Sequence, residues 1–316
     1  MLFKLIQNEW MKLFNRTSTY VMCGLLVVGV MATAVYTFYN QADQELPGKE
    51  QWQAELIQQN EEYSEQEATT NNYYIESNAI NQQAINTYRL ENDISPYETE
   101  NVWGYMDTNM DLVQLIGVLV IIVGASIVSL EFKNGTIKLL LVRSASRTQI
   151  LMAKFITTIL FGLYLLTLLF VLSFAIGGLL FGFGGSATHI SASHGDVYEW
   201  PRILYLGINY LTSSISLLML AAFAFMVSTI FRSDAIAIAI SVMLMFVGTT
   251  ATNILALLTD WAKFSLFANT NLNAYFSGGP MVEGMTLQFS IIMLVVYLFV
   301  FLFLSFIFFK RRDVSI

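Results

Sequence analysis

The residue types best suited to metal chemistry lie together in one polar stretch. His189 and His194 are followed closely by Asp196 and Glu199. Imidazole and carboxylate groups are zinc ligands, so this stretch is the place where a membrane enzyme would hold a metal. The spacing matches no familiar zinc pattern, and the stretch is rich in glycine. We therefore interpret residues 184–202 as a solvated loop and predict no metal site and no catalytic residue.

A second polar stretch, residues 129–154, reads SLEFKNGTIKLLLVRSASRTQILMAK. Gly135 can end a helix in the left-handed conformation, and Thr136 can cap a short apolar helix that reaches Val142. Ser144 or Ser146 can then cap the following helix. This predicts a short amphipathic helix surrounded by five cations, Lys133, Lys138, Arg143, Arg147 and Lys154. Physical chemistry alone allows two roles for it, as an anchor for lipid headgroups or as a docking element for an acidic protein.

Composition places the chain among membrane proteins. Of its 316 residues, 55% are hydrophobic and only 12% are charged, whereas soluble domains carry roughly 25% charged residues. The mean hydropathy is +0.58. The one cysteine, Cys23, lies inside an apolar run and excludes an intramolecular disulfide.

Six apolar runs are long enough to cross a bilayer as helices. They occupy residues 17–39, 110–130, 153–183, 203–231, 235–259 and 286–309. The segments between and around them are 1–16, 40–109, 131–152, 184–202, 260–285 and 310–316. We therefore predict an all-α membrane protein with six transmembrane helices. A cleaved signal peptide ending at Ala32-Thr33-Ala34 is the alternative for the first run, but that run is too long for one.

The positive charges predict the orientation, because cytoplasmic segments retain Lys and Arg during insertion. Twelve of the 16 Lys and Arg residues lie on the side of both termini, and four (Lys49, Arg89, Arg202 and Lys263) lie on the other side. We therefore expect a multi-pass protein of the plasma membrane with both termini in the cytoplasm. Residues 41–107 hold 14 of the 23 acids and are expected outside.

The N-terminal segment 1–16 has the pattern of an interfacial amphipathic helix. Its apolar face includes Trp10, and Lys4 and Lys12 lie on the opposite face, with Glu9 beside them in the sequence. We expect Trp10 at headgroup depth and the lysines against lipid phosphates. Packing on another subunit is the alternative.

The long acidic segment 40–109 predicts an extracellular helical hairpin. Apolar residues recur at turn spacing in two stretches separated by residues 69–72. The first stretch has Trp52, Leu56 and Tyr63, and the second has Ile80, Ala84 and Tyr88. Its richness in Asn and Gln leaves disorder as the alternative.

Three blocks of sequence carry a resemblance to a known family. They are Asn8-Glu9-x-x-Lys12, the block Glu131-x-x-x-Gly135-Thr136-Ile137-Lys138-Leu139-Leu140 with Ser146-Arg147 and Lys154 after it, and Phe309-Lys310-Arg311-Arg312-Asp313. In this order around six spans, they resemble the permease subunit of type-2 ABC exporters of bacterial antibiotic, bacteriocin and lipid export systems.

The resemblance implies a homodimer, or a pair of related permeases, clasped by two cytoplasmic ABC ATPases. It implies that the first segment is the connecting helix, with Glu9, Trp10 and Lys12. The residues that would couple to the ATPase are Glu131, Gly135, Thr136, Lys138, Arg143 and Arg147. No G-x-x-x-x-G-K-[ST] loop occurs in the chain, so ATP and Mg²⁺ would bind the partner and this chain would hold no cofactor.

Polar residues inside the spans are candidates for a substrate path. Two groups lie at turn spacing, Asn209, Ser213 and Ser216 in the fourth span and Thr249, Thr252 and Asn253 in the fifth. Hydrogen bonding between helices is the competing explanation.

The resemblance implies export, and the absence of an ionisable residue well inside a span favours an amphipathic peptide, antibiotic or lipid-like substrate over a bare ion. The alternatives are a sodium exporter and a membrane sensor or resistance module whose outer hairpin binds a ligand. Membrane lipids are expected partners, and nucleic acid is not.

Overall fold

The computed structural model describes residues 2–42, 46–70, 72–133, 135, 146–186 and 188–311. Within these residues the helices are α1 (Leu2–Phe14), α2 (Thr17–Ala42), α3 (Lys49–Thr69), α4 (Tyr73–Glu91), α5 (Val102–Thr108), α6 (Leu112–Lys133), α7 (Arg147–Leu180), α8 (Arg202–Phe231), α9 (Asp234–Leu258), α10 (Leu266–Thr270) and α11 (Leu287–Arg311). The strands are β1 (Thr188–Ser193) and β2 (Asp196–Pro201).

The predicted number of six membrane-spanning helices is confirmed by length and composition. Helices α2, α7, α8, α9 and α11, and α5 with α6 as one segment, are each long and apolar enough to cross a bilayer. The segment Val102–Lys133 has the largest buried share of the six, and Leu287–Lys310 has the smallest. The bundle is thus arranged around α6, with α11 at its periphery.

Small residues allow α6 and α8 to approach closely. A Cβ atom at Gly124 would lie 3.2 Å from the carbonyl oxygen of Ala221 on α8. Next to it, the Ser228 hydroxyl donates a hydrogen bond to the carbonyl oxygen of Ala125. In lipid, close backbone approach and interhelical hydrogen bonds hold helices together. The hydrophobic effect does not drive their association, because the lipid tails are as apolar as the helix surfaces.

A polar cluster joins α2 to the α5–α6 region. Tyr105 is fully buried, and its hydroxyl donates to the carbonyl oxygen of Val30 at 2.6 Å. The Thr33 hydroxyl donates to Asn109 Oδ1 at 2.6 Å. Because these polar atoms are paired, they can be buried without a large desolvation cost.

Helices α3 and α4 pack against each other in the acidic segment. Trp52 and Leu56 are buried on α3, and Asn86 Nδ2 on α4 donates to Gln59 Oε1 at 3.3 Å. Asn72 caps α4 by accepting from two backbone amides. The position of this pair relative to a membrane stays a prediction.

The prediction of a flexible solvated loop at residues 184–202 is wrong, and so is the all-α fold class at this point. Strands β1 and β2 pair in antiparallel register from Thr188↔Pro201 to Ser193↔Asp196. The two-residue turn, His194 and Gly195, has φ values of 54° and 82°. Two positive values are typical of the type I′ turn, which matches the twist of the strands it joins.

Helix α7 begins at Arg147, six residues before the predicted start at 153. Ser146 is its N-cap, and together with Gln149 it forms a capping box. This confirms one of the two serines expected to cap this helix. The earlier start places Lys154 well inside α7, whereas the predicted start placed it in the first turn of the helix.

We expect Gly248→Ala to destabilise the bundle. A Cβ atom there would lie 2.3 Å from the ring of Phe267, and overpacking of this kind costs roughly 1–3 kcal/mol. Gly24→Ala is the matched control, since its Cβ atom meets nothing within 4 Å and alanine favours a helix by roughly 1 kcal/mol. Thermal unfolding of the purified chain in detergent measures both. Equal melting temperatures for the two variants would contradict the α9–Phe267 packing.

Candidate functional site

Four charged side chains from three helices meet in one ion-pair network, which we call the Lys154 network. It consists of Glu9 and Lys12 on α1, Glu131 on α6 and Lys154 on α7. The Lys154 Nζ atom lies 2.7 Å from Glu9 Oε2 and 3.0 Å from Glu131 Oε1. The Lys12 Nζ atom lies 2.9 Å from Glu9 Oε1 and 3.1 Å from Glu131 Oε1. Each ammonium thus contacts both carboxylates.

The network is buried except at Lys12. The side chain of Lys154 is 1% exposed, those of Glu9 and Glu131 are 9% and 8% exposed, and that of Lys12 is 44% exposed. Burial lowers the pKa of Lys12, but hydrogen bonds and charges from Glu9 and Glu131 raise it on balance. Two cations against two anions leave no net charge, which is the arrangement that makes burial of ions tolerable.

Aromatic packing holds α1 in the position that the network requires. The ring centroids of Trp10 and Phe14 are 4.8 Å apart, and those of Phe14 and Tyr164 on α7 are 5.3 Å apart. The prediction that Lys12 faces lipid phosphates is wrong, because Lys12 turns toward Glu9 and Glu131. The reason is that a nearby pair of buried carboxylates attracts an ammonium more strongly than screened headgroup charges do. The interfacial position of α1 itself stays a prediction.

The described residues on both sides of the segment 136–145 are tied to other helices. Before it, Lys133 Nζ lies 2.5 Å from Asp234 Oδ1 at the start of α9. After it, Arg147 Nη1 donates to the carbonyl oxygen of Lys310 near the end of α11, at 3.1 Å. The ring of Phe132 lies 6.2 Å from that of Phe309 and 4.7 Å from the guanidinium carbon of Arg232. Ends of α6, α7, α9 and α11 therefore meet around this segment.

The predicted coupling residues have three different outcomes. Thr136, Lys138 and Arg143 lie outside the described residues. Gly135 has φ +67°, which confirms the left-handed residue expected after the second span. Glu131 is buried in the Lys154 network, and its role in coupling to an ATPase stays a prediction.

Sequence reasoning missed Lys154 as a member of this site, because it counted that residue only among the five cations that follow the second span. A signal was present in the sequence. A lysine at the start of an apolar helix needs an acidic partner. On the side of the termini only four acids are available, Glu9, Glu131, Asp234 and Asp313, against twelve cations.

The residues proposed for a substrate path separate into those that share a recess and those that do not. Ser216 and Thr249 line one recess of about 460 Å³ between α6, α8 and α9. Ser216 also donates to the carbonyl oxygen of Thr270 at 2.8 Å, and Thr252 bonds to the Ser265 hydroxyl at 2.8 Å. The other four candidates do not line this recess, namely Asn209, Ser213, Thr252 and Asn253. Hydrogen bonding between elements thus accounts for part of the pattern.

The histidines of the β hairpin do not converge on a shared site. His189 stacks on Tyr205 with ring centroids 3.5 Å apart, whereas His194 lies in the turn. Burial, together with the charges of Arg202 and Arg89, lowers the pKa of His189 to about 4. In the described part of the chain, no group of three or more His, Cys, Asp or Glu residues is placed to hold a metal ion.

Comparison with known proteins places this architecture in a family. A family model described as protein of unknown function (DUF2705) matches residues 68–315. The chain belongs to this family. The DUF2705 match covers α4 to α11, including the β hairpin and the Glu131 and Lys154 side of the network.

Two proteins of Bacillus subtilis (strain 168) are similar to this DUF2705 chain. One, named uncharacterized protein YhcI, is 39% identical over 320 residues, which cover 99% of this chain and 100% of that protein. Another, named uncharacterized membrane protein YdbK, is 31% identical over 225 residues, 71% of this chain and 87% of that protein. With the six apolar helices, these findings support a multi-pass membrane protein and leave the exporter resemblance as a proposal.

We expect Lys154→Met to destabilise the DUF2705 chain strongly, because it leaves two buried carboxylates with one half-exposed ammonium. Removing one partner of a buried ion pair costs roughly 3–5 kcal/mol. Lys12→Met is the matched control and should cost roughly 0–1 kcal/mol, since Lys12 is partly solvated. Adding Glu131→Gln to Lys154→Met should recover part of the loss. Melting temperatures in detergent test this ranking, and a harmless Lys154→Met would contradict the network.

Proposed function

We propose that this chain is the permease subunit of an ABC exporter that moves an amphipathic peptide, antibiotic or lipid-like substrate. A separate cytoplasmic ATPase drives it, holds ATP and Mg²⁺, and contacts the segment that follows the second span. Two copies of the chain, or this chain and a related permease, form the membrane part. Both termini and the Lys154 network are on the cytoplasmic side of the plasma membrane.

The observation that carries the proposal is the set of contacts made by the described residues on both sides of segment 136–145. A force applied there reaches α6 and α7 directly, since the segment joins them. It reaches α1 through Glu9, α9 through Asp234 and α11 through Lys310. An exporter needs this kind of element, because ATP binding in one subunit has to change helix packing in another.

The transported compound is inferred from the lining of the bundle. The recess that contains Ser216 and Thr249 has hydroxyls and amides among mostly apolar side chains, with Met219, Met245 and Phe267 in its wall. Methionine adapts to varied apolar shapes. A mixed lining of this kind suits an amphipathic molecule better than a bare ion.

A membrane sensor is the second candidate function. The paired helices α3 and α4 and the β hairpin form a folded unit beyond the ends of the spans. The Tyr88 hydroxyl donates to Glu199 at 3.0 Å and joins the two parts. A sensor would use this unit to detect a ligand, and substrate transport in vesicles distinguishes the two functions.

The proposed topology predicts opposite labelling of two introduced cysteines. In a Cys23→Ser background, Gln58→Cys lies at an exposed position of α3, and Ser315→Cys lies near the C-terminus, outside the described residues. An impermeant maleimide on intact cells should label Gln58→Cys and spare Ser315→Cys until the cells are opened. The reverse pattern would overturn the orientation inferred from the positive charges.

Coupling is tested at Gly135, whose φ of +67° strains any β-branched residue. A Cβ atom there meets no described residue within 4 Å, so we expect the cost of Gly135→Val to lie in the backbone conformation. We expect it to lower substrate-stimulated ATP hydrolysis about tenfold or more in nanodiscs that contain the ABC ATPase that co-purifies with the chain. Gly135→Asn is the matched control, because Asn tolerates the left-handed region.

Three results would contradict this proposal. One is normal turnover in Gly135→Val, and another is the absence of any co-purifying ATPase. The third is a strict need for sodium when potassium replaces it, which would favour ion export over an amphipathic substrate. Membrane insertion should be unchanged in both Gly135 variants, since Gly135 follows the last residue of α6.

A further inference from the structure

A polar recess lies at the end of the bundle opposite to the Lys154 network. It is enclosed by the C-terminal part of α4, residues 94–101, strand β1 and the start of α8. Its volume is about 230 Å³, below the roughly 300–1,000 Å³ of sites for drug-sized ligands. A ligand here is therefore small, or is the end of a longer molecule. We call it the Arg89 recess, lined by Arg89, Glu98, Glu100, His189 and Arg202 among others.

One pair of opposite charges in the recess is already satisfied by the protein. Arg202 Nη1 lies 3.1 Å from Glu98 Oε2, and Arg202 Nη2 lies 3.9 Å from Asp107 Oδ2. Glu98 Oε2 also accepts from the backbone amide of Ser186 at 3.4 Å. Arg202 therefore has two carboxyl groups beside it and braces the wall, and it leaves no demand for an added anion.

A second pair of opposite charges lacks such partners. The Arg89 guanidinium makes no hydrogen bond or ion pair with any residue that the structure describes, and its Nε atom is buried. The Glu100 carboxylate has a buried oxygen, Oε2, without a hydrogen-bond donor among the described residues. Burial lowers the pKa of Arg89 and raises that of Glu100, partly offset by Glu98 and Arg202 respectively.

The two unsatisfied groups line the same recess and do not pair with each other. Both side chains are partly exposed, so water can solvate them, and a ligand with complementary charges would replace that water by charge-assisted hydrogen bonds. His189 adds no charge to the recess, because its lowered pKa, about 4, keeps the imidazole neutral at physiological pH. A ligand that matches the recess would bring an anionic group to Arg89 and a cationic group to Glu100.

We propose that the Arg89 recess binds a small zwitterion, whose carboxylate contacts Arg89 and whose ammonium contacts Glu100. A free amino acid and a short peptide both have this chemistry. A guanidinium is the residue group best matched to a carboxylate, through two parallel N–H donors. The proposal does not rest on the exporter function, since a sensor, an exporter and a protein of another activity could each carry such a site.

Calorimetric titration of the full-length chain in detergent tests the site with two probes, L-alanine and L-alanyl-L-alanine. We expect saturable binding of at least one of them at one site per chain. Acetate and ethylammonium, which each carry one of the two charges, should bind at least about tenfold more weakly, because each leaves one group unpaired. Binding of L-alanine assigns a free amino acid, and binding of the dipeptide alone assigns a peptide.

Two variants and a control connect binding to these residues. Arg89→Gln and Glu100→Gln should each weaken probe binding about tenfold or more. Glu61→Gln, at an exposed position of α3, removes the same charge as Glu100→Gln and should not change binding. Without a probe, Glu100→Gln should melt no lower than the unmodified chain, since it removes an unpaired buried charge. If Arg89→Gln fails to fold, probe binding by Glu100→Gln alone tests the proposal.

Three results would overturn the proposal. The first is no binding of either probe, which would assign the recess to water. The second is acetate binding as tightly as L-alanine, which would make it a simple anion site. The third is unchanged binding in Glu100→Gln, which would place the probe elsewhere.

Discussion

The buried ammonium of Lys154 is the constraint on which the arrangement of helices at its end of the bundle depends. An ammonium that is 1% exposed requires anionic neighbours, and Glu9 and Glu131 bring them from α1 and α6. In lipid the hydrophobic effect does not press helices together, so directional contacts decide which helices meet. The network is one such contact, and the Ser228 and Thr33 hydrogen bonds farther along the bundle are others of the same kind. Each of these contacts fixes the position of one helix relative to another along the bundle axis.

The two ends of the bundle treat their charges differently. In the Lys154 network every ion has a partner from another helix, and the contacts continue through Lys133 and Arg147 to α9 and α11. In the Arg89 recess, only part of the charge is paired. A satisfied network favours a fixed geometry, whereas an unsatisfied one favours a ligand. The end with the Lys154 network is thus suited to holding helices together, and the end with the Arg89 recess is suited to binding a ligand.

The apolar pattern was sufficient to predict the six spanning helices, because a run of about 20 uncharged residues has few other stable structures in a membrane. Local chemistry predicted the left-handed Gly135 and the Ser146 cap. The β hairpin was missed because glycine was interpreted as flexibility, and because His194-Gly195 is not one of the usual turn pairs such as Asn-Gly or Asp-Gly. The partner of Glu131 was missed for another reason. Lys154 and Glu9 are 145 residues apart, and such pairing depends on tertiary structure that no local pattern contains.

That separation also orders events during synthesis. Ribosomes add roughly 5–20 residues per second, so Glu9 precedes its partner Lys154 by about 7–29 s. Glu131 is added only 23 residues before Lys154, so for most of this interval Lys12 is the one other member of the network that has been made. Helix α1 can therefore reach its final position only after the third span has begun to form. The N-terminal helix is thus made first, but it can complete its ion pairs only when α6 and α7 are present.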